Sequence, residues 1–179
     1  MITRILEGII RNKLWKGKAV LIMGARQVGK TTLLKQLFPE QSDVLWLNGD
    51  EQDIRNLFEN ISAARLKLIF GNKKIIIIDE AQRIVDVGLK LKLITDQIQD
   101  VQLIATGSSS FELANLVNEP LTGRKWEYKM FPVSFEEMVM DHGLLEEKRL
   151  IPHRMVFGYY PDIVCNPGEE EDRLSQLSD

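Results

Sequence analysis

The chain predicts an α/β fold with a parallel five-stranded sheet between layers of helices, and three observations carry that prediction. Leu21 to Leu34 reads LIMGARQVGKTTLL, so that Gly24, four further residues and then Gly29, Lys30 and Thr31 follow an apolar run and open a helical pattern. Ile75 to Glu80 reads IIIIDE, four β-branched residues closed by two carboxylates. Such a run suits a strand buried on both faces that delivers charge at its C-terminal end. Val44 to Asn48 (VLWLN) and Val101 to Thr106 (VQLIAT) are further short apolar runs, each separated from the others by a helical pattern. That alternation is the signature of strand–helix–strand crossovers.

At 179 residues the chain has room for one good-sized α/β domain. Apolar residues at 44% and charged residues at 27% are ordinary for a globular protein, and a net charge of -3 gives no global basic field. Nucleic acid is therefore not indicated as a partner by charge. The single cysteine, Cys165, excludes an internal disulfide and a cysteine-based zinc site. No apolar run approaches membrane-spanning length, and MITRILEGIIRN lacks the uninterrupted core of a signal peptide, which points to the cytoplasm.

Taken in order, Met1 to Asn12 sets Ile2, Ile5, Leu6, Ile9 and Ile10 against Arg4, Glu7 and Arg11, the spacing of an amphipathic helix packed on the domain. Lys13 to Lys18 is a short basic connection into a first strand, Ala19 to Met23. Thr31 to Phe38 reads as helix, stopped by Pro39. After the VLWLN strand, Asp50 caps the next helix or faces a metal, the cap being favoured, and Glu51 to Phe70 reads as helix broken near Ser62. Asp86 to Asp100 carries Val87, Leu91, Ile94 and Ile98 on one face. A fifth strand is expected over Lys125 to Phe131, and Ser134 with Glu137 three residues on forms a capping box for a following helix. From His142 the pattern is less regular. Glu169 to Asp172 reads as a solvated helix start, and His142 and His153 read as isolated, not as ligands. We divide the chain at 1–145, the main domain, and 146–179, a helical extension.

The Gly24 to Thr31 stretch has the pattern of a phosphate loop, and each residue type has a physical task. Gly24 and Gly29 allow backbone turns closed to other residues and bring amides close to an anion. Those amides, from Gly24 through Ala25, Arg26, Gln27, Val28 and Gly29 to Lys30, Thr31 and Thr32, form a concave nest at a helix N-terminus. Lys30 supplies charge to the β- and γ-phosphates, and the Thr31 hydroxyl is a candidate Mg²⁺ ligand. Asp79, 49 residues after Lys30, fits the Walker B position and would hold Mg²⁺, with Glu80 orienting the attacking water as general base. Ser108 or Ser109, just past VQLIAT, either senses the γ-phosphate or caps the helix starting near Phe111. A strand inserted between the phosphate-loop strand and the Walker B strand, read here as VLWLN, with Glu80 after Asp79, marks the additional-strand, catalytic-glutamate division of P-loop NTPases. The strand order expected is 5-1-4-3-2. No N-K-x-D base-reading motif occurs, which favours an adenine nucleotide.

The ordered series GARQVGKTTLL, IIIIDEAQRI, LIATGSSSFEL, LTGRKWEYKMFPVSFEEM and GYYP resembles a prokaryotic, archaeal-type family of AAA-type ATPases, over about Met1 to Pro161. The resemblance implies ATP binding by Gly24, Gly29, Lys30 and Thr31, with Asp79 and Glu80 at the metal and water. It also implies a longer C-terminal domain in most members. This chain stops at Asp179, as an excised piece or a naturally shortened copy would. Arg124 stands roughly where related proteins present an arginine finger to a neighbouring subunit, a group that changes turnover by about 10³ to 10⁵. The alternative is a structural arginine paired with an acid on the following helix. Three functions are open on this reading: a Mg²⁺-dependent ATPase driving an attached domain or partner, homo-oligomers included; a nucleotide-gated binding module with little turnover; and, ranked third for want of an arginine-rich lid, a small-molecule kinase.

Overall fold

The structure, a computed structural model, describes residues 2–39, 42–108 and 116–178. Five strands, β1 (Ala19–Met23), β2 (Val44–Asn48), β3 (Ile75–Asp79), β4 (Gln102–Gly107) and β5 (Lys125–Lys129), form one parallel sheet in the order β2-β3-β4-β1-β5. That is the 5-1-4-3-2 order the motifs predict, but the strand inserted between the phosphate-loop strand and the Walker B strand is β4 and not VLWLN, which intervenes in sequence but lies in space at the sheet edge beside β3. The register pairs Met23 with Gly107 and Asn48 with Asp79, so the ends of β1, β3 and β4 that carry the motif residues emerge on one edge.

Alternation along the strands fills both faces. Val20, Ile22, Ile77 and Ile104 meet α1 (Ile5–Arg11) and α2 (Lys30–Leu37) through Ile10, Leu33, Leu34 and Leu37. Leu21, Met23, Ile76, Ile78 and Leu103 face α3 (Gln52–Phe58), α4 (Ala63–Phe70) and α5 (Val87–Gln97) through Phe58, Leu66, Phe70, Leu91 and Ile94. Central β1 is buried along its whole length, whereas edge strand β5 is half exposed. Lys13 and Lys18 lay their ammonium groups 4.4 and 4.5 Å from the Trp126 ring centroid, covering an aromatic on that edge strand.

Local rules act where the sequence places them. Ser62 Oγ accepts the Arg65 amide at 3.3 Å and starts α4, which is why the long helical pattern breaks there. Asp50 does not cap α3. Its carboxylate lies 3.3 Å from Arg83, and Glu51 holds the N-cap position without a side-chain bond. The capping box forms as expected at α6 (Phe135–His142), followed by α7 (Leu144–Phe157), α8 (Pro161–Val164) and α9 (Glu170–Ser178). Glu170 is buried at the start of α9, bonded to the Gly168 amide at 2.8 Å and 3.1 Å from His153, so that acidic run is not wholly solvated. His142 is likewise engaged, 2.9 Å from the buried Glu147, which also accepts the Tyr159 hydroxyl at 2.6 Å.

Candidate functional site

The loop leaving β1 is shaped by backbone needs that few residues meet. A Cβ on Gly24 would sit 2.3 Å from the Met130 carbonyl oxygen, so only glycine lets the loop pass the end of β5. Gln27 (φ 62) and Gly29 (φ 95) are both left-handed, which folds the loop back onto the start of α2. Lys30 is 5% exposed, and its Nζ donates to the carbonyls of Gly24 (2.9 Å) and Ala25 (2.8 Å), across the loop's own concavity. Burial lowers the Lys30 pKa below the usual lysine range. Glu80 and Asp79 oppose the shift, and Arg26 adds to it.

Next to the loop, Asp79 is held at both oxygens. Thr31 Oγ1 donates to its Oδ2 at 2.8 Å, and the Thr106 hydroxyl donates to its Oδ1. The Thr106 oxygen also accepts the Glu80 amide at 3.3 Å. Glu80 takes a left-handed backbone (φ 48), an uncommon state for a non-glycine residue and one that concentrates at functional sites. Its carboxylate accepts from Gln82 Nε2 at 2.6 Å, and the same amide donates to Ser108 Oγ at 2.8 Å. Ser108 is thus brought beside Glu80 through Gln82, while Ser109 and the expected helix start at Phe111 lie outside the described residues.

A cleft of about 660 Å³ opens over Gln27, Lys30, Thr31, Thr32 and Glu80. Its far wall is Pro161, Asp162 and Cys165 at α8 and Gln176 of α9. The thiol of Cys165 is free and exposed there. A small apolar recess with Ile2, Leu33, Val133 and Pro161 adjoins the cleft at Gly29 and Thr32. The donor chemistry suits a hard divalent cation: one carboxylate, one hydroxyl and room for oxygens supplied by phosphate and water. No cluster of three or more His, Cys, Asp or Glu that could hold a metal unaided occurs among the described residues. No helix among them is long and apolar enough to cross a membrane.

Arg124 is not brought to this site. It precedes β5 at the opposite edge of the sheet, where its carbonyl accepts the Ala19 amide at 2.9 Å. Its Nε donates to Asp96 at 2.6 Å, an acid on the preceding helix α5 and not on a following one. Two residues that contact the carboxylate pair, Thr106 and Gln82, escape the motif reading. Their signal is faint: the last polar residue of an apolar strand, and the second residue after DE.

Comparison with known proteins agrees with this geometry. The family model described as "AAA domain" matches residues 16–139. An uncharacterised protein of Mycobacterium tuberculosis is 31% identical over 116 residues, 64% of this chain and 25% of that protein. One from Haemophilus influenzae is 26% identical over 175 residues, 90% of this chain and 40% of the other. The chain therefore spans well under half the length of these relatives. Among solved structures, a Walker-type ATPase of Pyrococcus abyssi superposes with a TM-score of 0.58 at 16% identity, covering 90% of this chain and 65% of that one. AMPPCP-bound DnaA from Aquifex aeolicus gives 0.55 at 13% identity, covering 97% and 59%. At those identities the superpositions speak for the fold, and the match over 16–139 speaks for the family. With its phosphate loop, its inserted β4 and its paired carboxylates, the chain belongs to the AAA domain family of P-loop ATPases.

Proposed function

We propose that the chain binds ATP with Mg²⁺ and hydrolyses it in the cytoplasm, and that the nucleotide state is passed to an attached domain or partner. The observation that carries this reading is the 2.8 Å bond from Thr31 to Asp79, beside Glu80 and beneath a cleft of nucleotide size. In this reading the loop amides from Gly24 to Thr32 cradle the phosphates, and Lys30 turns from the Gly24 and Ala25 carbonyls onto them. Asp79 and Thr31 hold Mg²⁺, which when bound neutralises charge on the phosphate oxygens. Glu80 orients a water and takes its proton, while Thr106, Gln82 and Ser108 fix the two carboxylates. The recess of Ile2, Leu33, Val133 and Pro161 offers apolar walls for a base. Residues 146–179 form the helical extension that supplies the cleft's far wall.

A second reading, a nucleotide-gated binding module with little turnover, is favoured by one contact: Gln82 occupies the Glu80 carboxylate at 2.6 Å. Calorimetric titration with ATP and Mg²⁺, with Lys30→Ala and Glu80→Gln in parallel, tests both. Binding lost in Lys30→Ala supports the site, and absence of binding to the wild-type chain overturns it. ATP trapped by Glu80→Gln but turned over by the wild type supports hydrolysis. Identical behaviour of the two leaves the gated module as the function.

A further inference from the structure

Arg4, in the segment ahead of α1, is 8% exposed, and each of its side-chain nitrogens is engaged. Nη1 donates to the Val28 carbonyl at 2.9 Å, Nη2 to the carbonyls of Phe131 (2.6 Å) and Pro132 (3.4 Å), and Nε to Glu137 Oε1 at 3.1 Å. Glu137 is fixed in turn by the Ile5 amide at 2.9 Å and by the Ser134 amide at 2.8 Å. Burial works against its charge. The Ser134 and Ile5 amides and the Arg4 guanidinium outweigh that and hold it below the usual carboxylate range. One side chain thus joins the N-terminal segment, the phosphate loop, the exit of β5 and the start of α6.

The Val28 carbonyl is the informative contact. It shares a planar trans peptide with the Gly29 amide, so gripping the oxygen from one side sets the N–H in the opposite direction. Gly29 lines the nucleotide cleft with a left-handed backbone, and because glycine is free at φ the orientation of that peptide depends on what grips it. We propose that Arg4 is a positioning residue for the phosphate loop, orienting the Gly29 amide toward the bound phosphate through the Val28 peptide. The inference rests on the reading that this loop binds nucleotide phosphate. A lysine would keep the charge toward Glu137 but lacks the planar fork that reaches three carbonyls.

The test uses the full chain, its Arg4→Lys and Arg4→Ala variants, and Ser134→Ala, which loosens the α6 capping box without touching Val28. Each is titrated with ATP and Mg²⁺ by calorimetry, with thermal midpoints measured alongside. Arg4→Lys should stay as stable as Ser134→Ala yet bind ATP about tenfold to a hundredfold more weakly, as an ångström-scale misplacement of a binding group does. Dilute guanidinium should restore part of the affinity of Arg4→Ala, and Ser134→Ala should bind as the wild type does. Wild-type affinity in Arg4→Lys overturns the assignment. So does unfolding of both Arg4 variants, which would make the role structural. A wild-type chain that binds no ATP overturns the nucleotide reading itself, a result separate from the other two.

Discussion

Replacing Gly24 with alanine tests the loop's geometry at a single atom. The added Cβ would stand 2.3 Å from the Met130 carbonyl oxygen and 3.2 Å from Val28 Cγ2, where ordinary contact begins at 3.4 Å. Met130 is itself anchored, its amide donating to the Met23 carbonyl at 2.7 Å, so the loop and the end of β5 must part by about 1 Å. Overpacking of this kind costs about 1–3 kcal/mol. At about 2–4 °C per kcal/mol for a chain of this size, the melting temperature should fall by about 2–12 °C. ATP affinity should fall by about 10², because the displaced backbone is the phosphate cradle of the proposed function. Gly8 is the control: it lies within α1 with nothing within 4 Å of its Cβ position, so Gly8→Ala should be neutral or gain about 0.5–1 kcal/mol. Scanning calorimetry and ATP titration read both variants. A Gly24→Ala protein with wild-type melting temperature and affinity would refute the argument that only a bare Cα fits there.

Three further outcomes are expected. The lowered Lys30 pKa means that the ATP-free fold sheds this proton below 10.5, before the unfolded chain does, so its contribution to stability rises with pH through that window. In the proposed function Lys30 binds ATP in its charged form, so affinity should fall with rising pH over the same window, and Lys30→Arg should flatten the titration profile. Thr106→Val removes the hydroxyl shared by Asp79 and the Glu80 amide at a fully buried position, costing about 1–3 kcal/mol in chemical denaturation. It should lower turnover more than ATP affinity. Tyr159 ionises only at about 12, first because its partial burial strips water from the hydroxyl and then because it bonds to Glu147. Ultraviolet titration should show that late phenol disappear in Tyr159→Phe, with a stability loss of about 1–3 kcal/mol as buried Glu147 loses a donor.

What was legible in the chain itself is what short stretches dictate. The G-x-x-x-x-G-K-T spacing, the IIIIDE run, the Ser134–Glu137 box and the break at Ser62 depend on residues within a few positions of one another. Backbone sterics, caps and periodicity act at that range, so the strands and the phosphate loop follow from them, whereas the strand order came from the class to which the motifs point. The tertiary structure alone decided the long-range pairs. Arg4 meets Glu137 across 133 positions and grips the loop at Val28, although it reads as one charge on an amphipathic helix. Thr106 reaches Asp79 because β3 and β4 are adjacent and in register, and Arg124 finds Asp96 at the sheet edge away from the loop. The irregular stretch after His142 supplies Pro161 and Asp162 to the cleft. Such partners are fixed by sheet register and by which buried polar group needs a neighbour, and neither is written in local spacing.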